Sequence, residues 1–507
     1  MVQVQLSRRR RITHQEGTKL MEQRPRISLI SEQLIDRVID EALDVLEQVG
    51  VMVEHEEGHQ LLLEAGAKGE QGAHQVRIPR ALVEKALATT PRAIAVYDRQ
   101  GNKAMRLEGD LVHFDPGSAA LTILDWETQK ERTPVTSDLV AFARLTQLLP
   151  HFAAQSTGLI PGDVPGAIAD RYRLFVALQY CGKPIVTGTF AIDGFPVMWE
   201  MLVAVRGSQE ELRRKPLAIF DCCPSPPLKW SRLTCQCLIE CARAGVPAEL
   251  VSMPLTGATA PATLLGALVQ HTAETLSGIV IHQVAAPGAP VIYGGSPAAM
   301  DMRTGTTPMG AIETMMIDMA YAAVGKRFGL PTHAYMALSD AKVVDTQAGL
   351  ETAMGAVLAA LAGINVVSGP GMLDFESCQS LEKLVVDNDI CGAALRLVEG
   401  LRVRTTRLAE DLYGNIYDGD HFLTSPTTLR WFRQEHLCPS EAIDRDNYQT
   451  RQAKGDVTAG GRAHRLVRHL LSTPPPPGLP HEVTSELHRI MGQEARRHGM
   501  DRLPALP

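Results

Sequence analysis

Six aromatic residues fall in or just after the short apolar runs of this sequence: Phe114, Phe190, Phe220, Tyr293, Tyr335 and Phe375. Asp115 and Asp221 each close one of those runs. Ring faces and carboxylates are the groups that hold a cation unable to form hydrogen bonds. A denser group lies at 340–351, where Asp340, Lys342, Asp345, Gln347 and Glu351 share one connection and the first turn of the helix after it. Asp345 is placed to N-cap that helix. Glu313 is placed as a first-turn acid of another, where it offsets the helix dipole. Arg303, in a long glycine-containing connection, carries a fork that can clamp a carboxylate; a salt bridge to Asp301 is its ordinary alternative. His333 alternates within its run so as to face inward, either as a hydrogen-bond donor or as a satisfied core histidine. Cysteine spacing gives no metal motif. Cys222 and Cys223 are adjacent, Cys237 and Cys241 share a helix face that Cys235 does not, and neither CxxC nor HExxH occurs. These thiols read as small buried apolar groups, and no bound metal is expected.

The elements that must position these residues repeat in architecture. Eight apolar runs alternate with helical stretches: 111–115, 154–159, 184–190, 217–222, 248–253, 291–295, 332–337 and 364–368. Between them lie helix patterns, among them 170–180, 230–244, 261–284, 311–328 and 347–361. Strands alternating with helices imply parallel strands joined by crossovers, and eight such units match a closed (β/α)8 barrel; an open doubly wound sheet is the alternative. Gly or Pro stands just before most runs, as in Gly182-Lys183-Pro184 and Gly329-Leu330-Pro331, which marks short turns on the N-terminal face. The exits are longer, and barrel active sites are built from exits. The expected organisation is a tail over 1–26, disordered and basic through Arg8–Arg11, then a small α+β cap over 27–110. The barrel follows over 111–400, and a mostly helical extension with a proline-rich run near 472–480 over 401–507.

The chain has 507 residues, 45% of them hydrophobic, a net charge of -7 and nine cysteines. Beyond the N-terminal arm no basic patch asks for nucleic acid, and no uninterrupted apolar stretch has membrane-spanning length. The arginines of the arm are followed by polar residues rather than a signal-peptide core. An odd number of scattered cysteines fits a reducing cytoplasm better than a disulfide framework.

Several exit segments resemble the trimethylamine methyltransferase family. They are Asp163-Val-Pro, Asp170-Arg-Tyr-Arg, Lys183-Pro-Ile-Val-Thr-Gly-Thr-Phe190, Asp301-Met-Arg-Thr-Gly305, Ser339-Asp-Ala-Lys342 with Asp345-Thr-Gln-Ala-Gly349, and Asp420-His-Phe-Leu423. The likeness runs from about residue 27 to about 470. It implies a barrel enzyme that passes a methyl group from a methylated amine to the Co(I) of a corrinoid (cobalamin) carried by a separate partner protein, and a homo-oligomer. Archaeal members carry pyrrolysine, whose place falls near Asp340–Glu351; only standard residues stand there in this chain. The chain is therefore similar to the branch without pyrrolysine, which acts on betaine-type quaternary amines. A quaternary ammonium leaves as a neutral tertiary amine and needs no proton, so orientation alone serves the transfer.

On this resemblance Phe190, Tyr293 and Tyr335 are the expected aromatic cage. Asp221 is the expected pocket carboxylate, and Arg303 and His333 are the contacts to the betaine carboxylate. Asp340, Glu351 and Gln347 are the expected catalytic group. The loops 294–310 and 369–379, through Gly294, Gly295, Gly369 and Gly371, are the expected rim facing the corrinoid protein. Two alternatives stay open: a non-catalytic barrel that binds betaine, and a corrinoid-dependent methyltransferase for another methyl donor.

Overall fold

In the computed structural model, residues 24–70, 74–404, 408–409, 413, 422–455, 457–474 and 478–506 are described. Eight parallel strands close on themselves: β1 (His113–Phe114), β2 (Gln155–Ser156), β3 (Ile185–Gly188), β4 (Ala218–Cys222), β5 (Ala248–Ser252), β6 (Val291–Gly295), β7 (His333–Tyr335) and β8 (Val366–Ser368). Ladders join β2 through β6 in order, β7 to β8, and β8 back to β1. Bridges at Tyr293–Thr332 and Phe114–Phe152 complete the ring. Every barrel strand lies within a run expected from sequence. Most runs extend a residue or more beyond the strands they contain, while 291–295 coincides with β6.

Eight helices form the outer layer: α1 (Thr136–Leu148), α2 (Ala169–Tyr180), α3 (Gly194–Arg206), α4 (Arg232–Ala244), α5 (Leu264–Ala285), α6 (Ile312–Arg327), α7 (Thr346–Ala362) and α8 (Leu381–Val398). Local chemistry fixes their ends. The side chains of Ser231, Thr263, Asp345 and Ser380 each accept from the backbone N–H three residues on, as N-caps do. Gly207, Gly245 and Gly363 close α3, α4 and α7 in the left-handed conformation that a side chain resists. Lys183 does the same work on the floor of the barrel. Its buried ammonium donates to the carbonyls of Thr146, Leu149 and Phe152, tying the end of α1 to β3. Among the described residues α5 is long and apolar enough to cross a membrane, but it is mostly buried between neighbouring helices.

The N-terminal region is more than a cap. Three helices (Glu32–Gln48, Glu56–Glu64 and Arg80–Thr89) pack outside the barrel. The antiparallel hairpin Ile94–Tyr97/Lys103–Leu107 plugs the bottom of the lumen. Ile94, Val96, Met105 and Leu107 form one buried cluster with Ala154, Val186, Ile219, Ile292 and Val366 from the barrel strands. Arg24 and Arg26, which the sequence assigns to the tail, are engaged: Arg24 donates to the Ala360 carbonyl, and Arg26 pairs with Asp110. Residues 1–23 lie outside the described residues, as do Asp420, His421 and Pro475–Pro477.

At the other end, two short hairpins form a small sheet over the mouth. Thr122–Asp125 pairs with Lys130–Arg132, and Met372–Leu373 with Cys378–Gln379, the two joined in parallel through Thr122 and Cys378. The described part of the C-terminal extension combines helices with irregular connections. His481–Arg497 packs on α2 and α3, where the buried Arg171 guanidinium pairs with Asp193 and Glu494. Ala459–Ser472 packs on α1 and α8, with His464 bonded to Glu382 and stacked on Trp126.

Because the hairpin supplies the lumen floor, Met105→Ala is expected to cost about 3 kcal/mol, the range for emptying a buried methionine site. Urea unfolding checks this; a loss below about 0.5 kcal/mol would mean the plug is dispensable.

Candidate functional site

Above the apolar floor, the lumen turns acidic. Asp221 on β4 and Glu249 on β5 are register partners; Glu249 is fully buried and Asp221 half-buried. Asp115 follows β1 and is also buried. Glu376 enters from the mouth, its carboxyl enclosed and accepting a hydrogen bond from the Ser118 backbone. Two inward side chains of β7 complete the layer. His333 Nε2 lies 3.2 Å from Ser368 Oγ and 3.2 Å from Glu249 Oε1, and Tyr335 Oη donates to Asp221 Oδ2 at 3.3 Å. Ser368 Oγ donates in turn to Asp115 Oδ1 at 2.8 Å. Asp115 Oδ2 and Asp221 Oδ1 are buried without a partner. Neither Glu249 oxygen has a hydrogen-bond partner, and the proximity of the Asp221 carboxyl raises Glu249 further.

Burial drives the electrostatics. Loss of water pushes Asp115, Glu249 and Glu376 well above the usual carboxylate range, and mutual repulsion adds to it. Asp221 rises to about 7 through burial, held down partly by Glu249, Tyr335 and Arg173. Burial lowers His333 to about 3, so its imidazole is neutral. The cation nearest this layer is Arg173, from the first turns of α2. It is buried, donates through Nη1 to the Thr157 carbonyl, and lies 4.3 Å over the ring of Phe190, with Nε unpartnered. Asp170 fixes the Phe190 turn by accepting from the N–H groups of Phe190 and Ala191.

Glu376 is delivered by an unusual backbone. Asp374, Phe375 and Glu376 are consecutive non-glycine residues at positive φ, at the tip of the Met372–Leu373/Cys378–Gln379 hairpin. Such conformations cost free energy and persist only when their surroundings impose them. Here Lys342 pairs with Asp374 at 2.8 Å and lies 3.8 Å over the Phe375 ring.

The structure brings together some of the residues singled out from sequence and separates others. Asp221, His333 and Tyr335 meet in the lumen, Asp115 joins them, and Phe190 sits half-exposed at its edge. Tyr293 does not join them. Its ring lies between β6 and the helices, beside His271, Tyr321 and Phe328, and its hydroxyl donates to Thr272 on α5. Arg303 is exposed and donates twice to Asp301 in its own turn.

Asp340, Gln347 and Glu351 line an outer cleft of about 860 Å³ at the mouth, with Arg303, Lys342 and Phe375. The carboxylates of Asp340 and Glu351 are engaged in holding loops. Asp340 accepts from the N–H groups of Met309 and Gly310, while Glu351 accepts from Ser339, Asp340 N–H and Gln347. Burial still raises Asp340 to about 6. Gly294, Gly295, Gly369 and Gly371 are buried rather than set on a free rim. A Cβ on Gly294 would meet His333, on Gly295 His271, on Gly369 Leu338 and on Gly371 Gln379. Close packing leaves no room for a side chain at these four positions.

Sequence reasoning gave no role to Glu249, Arg173 or Glu376, although Arg173 stands in the Asp170-Arg-Tyr-Arg segment that carries the family resemblance. Glu249 carried a readable signal, a lone acid inside an apolar strand run. The other two come from a helix and a hairpin tip, and only the closed barrel shows that they converge.

The comparisons with known proteins decide the family. The model of the trimethylamine methyltransferase family matches residues 3–499. The chain belongs to this family. It is 28% identical over 93% of its length to a trimethylamine methyltransferase of Desulfitobacterium hafniense, 95% of which is covered. It is 27% identical over 94% of its length to a glycine betaine methyltransferase of the same species, 98% of which is covered. Among solved structures, the Methanosarcina barkeri monomethylamine methyltransferase aligns with a TM-score of 0.52 over 96% of this chain and 91% of that one, at 9% identity, which supports the fold alone. The fold is therefore the (β/α)8 barrel expected from sequence, in a methyltransferase family.

Two measurements follow from the carboxyl layer. A permanent cation entering it favours ionised carboxyls and so expels protons. With Asp221 near 7, affinity for a tetramethylammonium probe should fall as pH drops below about 7, by up to tenfold per unit for each proton released. Calorimetry in buffers of different ionisation heat reads the released protons; pH-independent binding would count against the site. The raised Glu249 also sets a stability trend. A carboxyl whose folded value is raised stabilises fully below its unfolded value, about 4.3, and loses that contribution as pH climbs through the folded value. Glu249→Gln should therefore become more stable than the parent, by about 1 kcal/mol or more, as pH rises from about 5 to about 8. Urea midpoints across that range check it.

Proposed function

We propose that this chain takes a methyl group from a small quaternary ammonium compound of the betaine type and passes it to the Co(I) of a corrinoid held by a separate protein. The observation that carries the reading is the enclosed layer of Asp115, Asp221, Glu249 and Glu376, four carboxyls faced by a single buried guanidinium. A quaternary ammonium offers no N–H, so it gains from negative charge and ring faces rather than from directed hydrogen bonds. Tyr335 and Phe190 supply the rings. The betaine carboxylate falls to Arg173, whose Nε is free and whose fork is held by Thr157 and Phe190. Arg173 thus takes the role expected of Arg303, and Tyr293 leaves the cage.

The chemistry asks little proton transfer of the protein, since the departing amine is neutral. Asp115, Asp221 and Glu249 hold the ammonium, Tyr335 fixes Asp221, and the hairpin floor stops the ligand at a set depth. The N–CH3 axis is then directed to the open mouth, which is positional catalysis. The corrinoid supplies a strong cobalt nucleophile when its carrier protein is docked. The fit of this chain to such a partner rests on the mouth, where Met253, Leu265, Met302, Ile312 and Leu350 expose apolar side chains around the entrance.

Reduced cobalamin and a panel of methylated amines test the proposal. Methylation of cobalt, followed by visible absorbance, is expected with a betaine and not with trimethylamine. Arg173→Gln is expected to raise KM at least about tenfold for carboxylate-bearing substrates, the loss of a charge-assisted pair, and to change it little for tetramethylammonium. Transfer from trimethylamine with none from any quaternary amine would overturn the reading.

A further inference from the structure

The adjacency of Cys222 and Cys223 looks unsuitable for a metal in the sequence, yet β4 sends the two side chains opposite ways. Cys223 turns toward the acidic layer, beside Asp221, Glu249 and Glu376. Cys222 turns outward toward α4, where Cys237 and Cys241 stand one helical turn apart on the facing side. Cys222 Sγ lies 3.8 Å from Cys237 Sγ, and the three sulfurs all lie within 4.8 Å of one another. All three residues are buried and none is in a disulfide.

We infer that Cys222, Cys237 and Cys241 form a binding site for one thiophilic d10 ion, Zn(II) or Cu(I), between β4 and α4. Sulfurs about 2.3 Å from a shared centre stand roughly 3.8 Å apart in a tetrahedral arrangement and roughly 4.0 Å apart in a trigonal one. The observed spacing brackets both, so an ion needs only small side-chain movements. Apolar packing of thiols accounts for burial, but not for three sulfurs from two elements converging on one point. Soft thiolates select these two ions over hard divalent cations. Loading replaces three S–H bonds by three metal–sulfur bonds and releases three protons to solvent. The side chain of Thr189 already contacts Cys237, placing a hydroxyl beside the cluster as a candidate fourth donor for zinc. Because Cys222 directly follows Asp221, such an ion pins the strand that carries the pocket carboxyl.

The full chain, purified without oxygen from cells given zinc or copper, is expected to carry about one ion, with sulfur neighbours near 2.3 Å in X-ray absorption. The separate zinc and copper preparations decide which ion the site prefers. Cys222→Ser, Cys237→Ser and Cys241→Ser should each lower the content at least about fivefold. Cys235→Ser should keep it, because Cys235 faces the N-terminal helix at Gly58 instead. The absorption measurement on the parent chain stands even if a variant fails to fold. A folded parent that holds less than about a tenth of an ion, a bound ion with oxygen or nitrogen neighbours alone, or a Cys222–Cys237 disulfide in the isolated protein would each overturn the proposal.

Discussion

Four carboxyl groups withdrawn from water inside a closed barrel, with one guanidinium near them, are the constraint around which this protein is arranged. An isolated buried charge is prohibitively costly, so such groups stay protonated, share protons or wait for a counter-charge. Each neighbour of the layer bears on that cost. Ser368 and Tyr335 donate to Asp115 and Asp221, His333 stays neutral against Glu249, and Arg173 reaches in from α2. Asp115 Oδ2 and Asp221 Oδ1 have no hydrogen-bond donor from the protein. The free energy tied up there is of a kind that a cationic ligand recovers.

That arrangement depends on rigid surroundings. Asp221 and Glu249 face one another because their strands are in register, and the small residues Gly294 and Gly295 let neighbouring side chains close on the ladder. Glu376 depends on three residues held at positive φ by Lys342 and the mouth sheet. Residues with chemical promise in the sequence, Asp340 and Glu351, turn out to brace this scaffold from the adjoining loops.

The barrel was legible because its signals are local: apolar runs, prolines and glycines at their entries, and helical periods between them. The site was legible only in part. Tyr293 lies in the middle of β6 and Tyr335 at the end of β7, and which of them faces the lumen depends on strand parity, which a sequence of unknown register does not reveal. Asp221, His333 and Tyr335 fell on the inner side; Tyr293 fell on the outer. Arg303 found its partner two residues away, a contact no distant substrate group displaces easily. Arg173, Glu249 and Glu376 are separated by more than a hundred residues at the extremes and meet only through closure of the ring. The same parity argument hid the cysteines, since neighbours on a strand look like a pair in sequence and point apart in space.

The hairpin under the lumen also bears on how the chain is assembled. Its strands end at Leu107, before the first barrel strand begins at His113, so synthesis delivers the stopper before any wall exists. The hairpin alone cannot bury its apolar side, and the barrel alone would be a tube open at both ends. The hairpin and the barrel therefore share one core, and a cut between Leu107 and His113, however natural it looks in the sequence, would leave neither part with its buried cluster complete.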